Sequence, residues 1–227
     1  MGKKESPDKE ISNSGSRGGG ASSKLSVFTG RIFGIIKFIL GICLLPFVYS
    51  TTIVFLSECG VLEKTINQYF FAGAIAFLII YLFIYEPVKL YNKGQKILEA
   101  VFRFFTPLVK VAPYLLPIYT IILLFIYFLY SLINKSPDAV RYFILLFGFT
   151  IALHLVFSAK SLRSRQGDFL KANYIFGFSF LYIINLAILA FAFNLIFKPY
   201  SFVNFCNQSF QVAKTIFSSI FKQLFLR

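Results

Sequence analysis

Residues 173–197 read "NYIFGFSFLYIINLAILAFAFNLIF" and contain no charged side chain. As a helix such a run crosses a hydrocarbon core of roughly 30 Å, which takes about 20 residues whose backbone polar groups are all bonded internally. Four further runs have the same character: 38–56 ("FILGICLLPFVYSTTIVFL"), 69–85 ("YFFAGAIAFLIIYLFIY"), 112–133 ("APYLLPIYTIILLFIYFLYSLI") and 142–159 ("YFILLFGFTIALHLVFSA"). Lys37, at the edge of the first, is expected to reach its ammonium group out to the interface. Composition points the same way. Hydrophobic residues make up 57% of the 227 and charged residues 14%, against about 45–50% and about 25% in soluble domains. The expected fold is all-α, a multi-pass membrane bundle of about five transmembrane helices.

The net charge of +14 raises the question of nucleic acid, and the placement of the basic residues answers it. Most of the 23 Lys and Arg lie in residues 1–37, in the interval 86–111 and in residues 160–171, with fewer in the loops between. Charges that alternate with apolar spans argue against a nucleic-acid surface, and by the positive-inside rule they place the N-terminus in the cytoplasm. The partners expected are the lipid bilayer and transmembrane segments of another membrane protein.

Three regions follow. Residues 1–27, rich in Ser, Gly and charge, lack the apolar side chains to order themselves and read as a cytoplasmic tail. Its opening M-G-x-x-x-S (Gly2, Ser6) fits an N-myristoylation pattern that chance also produces, and no cleavable signal peptide is evident. Residues 28–199 form the transmembrane domain. Residues 200–227 form an amphipathic tail, with Ala213, Ile216, Phe217, Ile220, Phe221, Leu224 and Phe225 at helical spacing and Lys214, Ser218 and Lys222 opposite. Two placements are open to it, in the membrane interface or packed on the bundle.

Three cysteines, Cys43, Cys59 and Cys206, give no metal-binding spacing. Cys59 and Cys206 share one expected side and could pair in an oxidising compartment. The sequons at Asn134 and Asn207 fall on that side too.

Between the second and third runs lies "EPVKLYNKGQKILEAVFRFFTPLVK" (86–110). Ile97, Leu98, Val101, Phe102 and Phe105 make an apolar face and Lys96, Glu99 and Arg103 a polar one, at helical period. The helix is too short and too polar to span, so it lies at the interface or enters the bundle partway. Its charges pair at i,i+3 and i,i+4 for a few tenths of a kcal/mol each.

Tyr91, Gly94 and Ala100 in "YNKGQKILEA", followed by "APYLLPIY", "GFTIALHL" and "QGDF", resemble the layout of small bacterial membrane metalloproteases of the site-2 protease class over residues 30–197. In that family the short helix reads approximately Y-x-x-G-H-E-L-T-H-A. The resemblance puts Gln95, Lys96 and Glu99 at the places of the first His, the catalytic Glu and the second His, and Asp168 near the place of a third ligand. Two imidazoles one turn apart hold zinc, and the Glu takes the proton of the metal-bound water. A carboxamide is a poor ligand, and an ammonium neither accepts that proton nor tolerates a dication. No zinc hydrolysis, metal or cofactor is expected here, and Asp168 is better read as an N-cap or a partner for Lys96, Arg163 or Arg165 than as a metal ligand. The family's Asn-Pro-x-x-Asp-Gly pattern is missing. The resemblance therefore implies a catalytically inactive relative acting as a binding or regulatory scaffold. The alternative is a small channel, transporter or membrane-complex assembly subunit.

His154, the single histidine, lies deep in the fourth run. An imidazole there is costly unless it faces the interior with a partner, so it marks either a relic site, with Asp168, or a structural hydrogen bond.

Overall fold

A computed structural model of the chain describes residues 19–104, 112–133, 136–164 and 174–225. Gly2, Ser6, Asn134 and Asp168 lie outside the described residues. The described fold is all-α: α1 (Gly19–Cys59), α2 (Lys64–Ile79), α3 (Val88–Val101), α4 (Ile118–Ile133), α5 (Pro137–Ser164), α6 (Tyr174–Ile196) and α7 (Phe202–Phe225). A π-turn over Ile80–Ile84 extends α2. Among the described residues, four stretches are long and apolar enough to cross a membrane, Ile32–Cys59, Lys64–Ile84, Asp138–Arg163 and Tyr174–Ile196.

The chain divides into two compact units after Ile36. In the first, the structure describes the opening of α1 from Gly19, inside the stretch expected to form a tail, and Ile32, Phe33, Ile35 and Ile36 are exposed on it. The second unit holds the rest of the bundle. Lys37 is not snorkelling outward as expected; it is 2% exposed.

Within that second unit the core is aromatic. Phe55 sits among Phe70, Phe193, Tyr200 and Phe205 with ring centroids 5.7–6.5 Å away. The outside is apolar as well, with Ile39, Leu82, Phe83, Phe125, Leu132 and Leu195 all well exposed. An outer surface this apolar would associate in water and is at home in hydrocarbon.

The tightest pairing is α2 against α5. A Cβ at Gly73 would lie 1.8 Å from the Leu145 carbonyl oxygen, and one at Gly148 would lie 1.9 Å from that of Phe70. The two backbones therefore touch, the packing that small residues permit between membrane helices where no hydrophobic effect draws helices together.

The third expected span is not one helix. Residues 112–115 are helical, the helix stops at Leu116 and Pro117, and α4 resumes for 16 residues, about 24 Å. Pro117 has no N–H and its ring excludes the preceding residues from a continued helix. α4 is fixed to α5 by the hydroxyls of Thr120 and Thr150, 3.0 Å apart. Thr150 also donates to the Leu146 carbonyl at 2.9 Å, so Thr120 is the donor between them.

α7 takes the second of its two placements. Phe205, Ser209 and Ala213 are buried, and the helix runs antiparallel to α1, from Phe205 beside Phe55 to Phe217 beside Phe47, with the Gln208 side chain reaching Glu58 at 3.4 Å. Ser201 accepts from the Asn204 N–H at 3.2 Å as its N-cap, and Asn194 accepts from the Phe202 N–H at 3.0 Å. Cys59 and Cys206 are free thiols, the first buried and the second exposed, so the pairing raised from sequence is not made.

Candidate functional site

The break at Pro117 creates the polar centre of the bundle. With no N–H at 117, the Pro113 carbonyl loses the donor a continuous helix would supply. Leu116 N–H closes the preceding turn on Ala112 at 2.9 Å, and Ile118 N–H turns back to Leu116 at 2.9 Å instead of reaching Tyr114. The freed carbonyls find side-chain donors on two other helices. His154 of α5 meets the Tyr114 carbonyl through Nε2 at 3.0 Å, and Asn185 of α6 donates through Nδ2 to the Leu115 carbonyl at 3.1 Å. Both side chains are buried.

A carbonyl oxygen only accepts, so Nε2 of His154 carries a hydrogen in this contact. That nitrogen has no lone pair to offer a metal. Ser158 Oγ, 3.3 Å from the same nitrogen, cannot donate to it and is left free to bond the Tyr91 hydroxyl of α3 at 3.0 Å. Burial pushes the Tyr91 phenol up, against the hydrogen bond with Ser158 that holds it down.

α3 closes the site from one side. Its buried face is Tyr91, Gly94 and Leu98; of the apolar face read from periodicity, Leu98 is buried while Ile97 and Val101 are exposed. In a membrane the most apolar face belongs to lipid, and the mixed face turns inward. Gly94 lets α3 approach α4, since a Cβ there would lie 2.8 Å from Ile118 and Tyr119 side-chain carbons. The Tyr119 hydroxyl donates to the Leu90 carbonyl, and Lys160 of α5 pairs with Glu86 just before α3.

Among the residues singled out from sequence, Gln95 and His154 come together. They line one small cavity with Tyr91, Pro113, Leu116 and Tyr119, of about 10 Å³, the room one water occupies. The Gln95 Nε2 is buried there without a hydrogen-bond partner. Lys96 and Glu99 do not join them; both are exposed. Among the described residues no three His, Cys, Asp or Glu side chains gather in a way that could hold a metal ion.

Asn185 and Ser158 were missed from sequence, and Tyr91 was noted only for the resemblance. Asn185 had a signal, an amide inside the uncharged 173–197 run. Ser158 had none, because its bond to Tyr91 spans 67 residues. In comparisons with known proteins, no family profile, no curated protein and no solved structure matches this chain.

Proposed function

We propose that this membrane protein is a non-catalytic binding or regulatory scaffold, a relative of the site-2 protease class whose metal-binding residues have been replaced. The observation that carries this reading is the pairing of Gln95 with His154 around one cavity beside a broken helix. Gln95 stands where the resemblance puts the first ligand. What surrounds it is a carboxamide, hydroxyls and one imidazole whose Nε2 hydrogen is given to the Tyr114 carbonyl. This donor set suits a structural water or a neutral hydrogen-bonding group better than zinc. The distribution of basic residues puts the N-terminus in the cytoplasm.

The test is metal content together with cleavage. Purified protein is expected to hold no stoichiometric zinc and to leave transmembrane peptides intact. Stoichiometric zinc lost on replacing Glu99 or Asp168, or cleavage stopped by a chelator, overturns the reading.

One observation favours the alternative, a channel or transporter. Interrupted helices at membrane depth place bare carbonyls where ions bind, and the 112–118 break is of this kind. Here the Tyr114 and Leu115 carbonyls are already occupied by His154 and Asn185, which weighs for the scaffold. Ion flux into vesicles that disappears in His154→Phe would reverse the preference.

A further inference from the structure

α7 has three sides. Phe205, Ser209 and Ala213 pack on the bundle, Phe217 lies against Phe47 beside them, and Phe210 and Phe221 form an exposed apolar side. Gln211, Lys214, Ser218 and Lys222 follow one another at three- and four-residue steps on the remaining side, all exposed. The helix contains two lysines and no acidic residue.

The depth of this polar side decides its meaning. The Phe217 ring lies 5.8 Å from that of Phe47, and Phe47 is near the middle of the Ile32–Cys59 span. Because α7 runs antiparallel to α1, Lys214 and Lys222 flank that mid-span level by about 5 and 8 Å along the axis. Ammonium groups at such depth are expensive in lipid and are found facing protein or water, paired where possible. In an interfacial helix the lysines would point at headgroups, and α7 is not placed that way.

We propose that the polar face of α7 is the docking site for a transmembrane segment of another protein carrying at least one carboxylate. Charge selects the partner. A second copy packing α7 on α7 would set lysine against lysine, whereas Asp or Glu on a partner helix pairs with Lys214 or Lys222 and lets its small polar groups meet Gln211 and Ser218. The proposal rests on the reading of the chain as a binding scaffold and names the class of segment it binds.

The full chain in phosphatidylcholine vesicles, acceptor-labelled, is titrated with donor-labelled leucine-rich transmembrane peptides that carry one central Glu, Gln or Leu. Energy transfer is expected to report at least tenfold tighter association of the Glu peptide than of the Leu peptide. In Lys214→Gln/Lys222→Gln, which keeps the wild-type melting temperature because both side chains are exposed, the difference should vanish. Equal association of the three peptides, a Glu preference that survives the double substitution, or association of labelled copies of the chain that excludes the peptide each overturns the proposal. Zinc-dependent cleavage of the peptides would instead overturn the scaffold reading.

Discussion

Replacing Gly148 by Ala tests whether the α2–α5 backbone contact holds the bundle together. The added Cβ would stand 1.9 Å from the Phe70 carbonyl oxygen, and an ordinary carbon–oxygen contact begins near ~3.3 Å, so the helices must part by about 1.4 Å. The obstacle is backbone on both sides, so no side-chain rotation absorbs the clash. A gap of even ~0.5–1 Å forfeits a quarter to a half of the dispersion energy of each contact along the seam, which includes the buried Phe70, Phe77, Ile144 and Phe147. Overpacking in a well-filled core costs about 1–3 kcal/mol, and Gly148→Ala belongs at the upper end. At roughly 2–4 °C per kcal/mol for a chain of this size, the melting temperature in detergent should fall by about 6–12 °C. Gly73→Ala meets the Leu145 carbonyl in the same seam and should do the same. The double variant should lose clearly less than the sum, because the first substitution already separates the helices. Single variants that melt within a degree of wild type, or strictly additive losses, would refute the close contact.

Two further outcomes follow from the break at Pro117 and the chemistry outside the spans. His154→Phe and Asn185→Leu each leave a buried carbonyl without its donor and should cost about 1–3 kcal/mol in thermal unfolding, whereas His154→Gln, which keeps an N–H donor, should recover part of the loss. Burial pushes the Tyr200 phenol well up, as do the nearby Cys59, Glu58 and Cys206. A folded-state value above the unfolded one means stability that is complete below about pH 10 and lost as pH rises beyond it. Denaturation followed from pH 8 upward should show that loss, reduced in Tyr200→Phe. At neutral pH the same variant should be near neutral or stabilising, since the hydroxyl is buried without a partner.

What was legible in the sequence was what lipid dictates directly. Uncharged runs marked the spans because a bilayer admits little else. The proline in "LLPIY" was equally visible, yet the run around it read as continuous because hydropathy does not register a missing N–H. The packing face of α3 was not legible for a related reason: periodicity separates an apolar from a polar face without saying which meets protein and which meets lipid, and here Ile97 and Val101 face outward while Tyr91, Gly94 and Leu98 pack. Gly73 and Gly148 carried a readable signal, small residues within apolar helices, but which two glycines meet is a property of the fold. The meeting of Gln95 with His154 likewise depends on α3 folding back against α5, and no local pattern announces it.

On the proposed reading the polar side chains inside the bundle serve to close a broken helix, with the Nε2 hydrogen of His154 held on the Tyr114 carbonyl. Because the chain has a single histidine, protein labelled with 15N-histidine gives the resonances of one imidazole, without ambiguity. A protonated Nε2 is expected, with a shift that does not move when zinc is added and does move in a Tyr114 carbonyl-perturbing variant such as Pro117→Ala. An unprotonated Nε2, or one that shifts on titration with zinc, would contradict it.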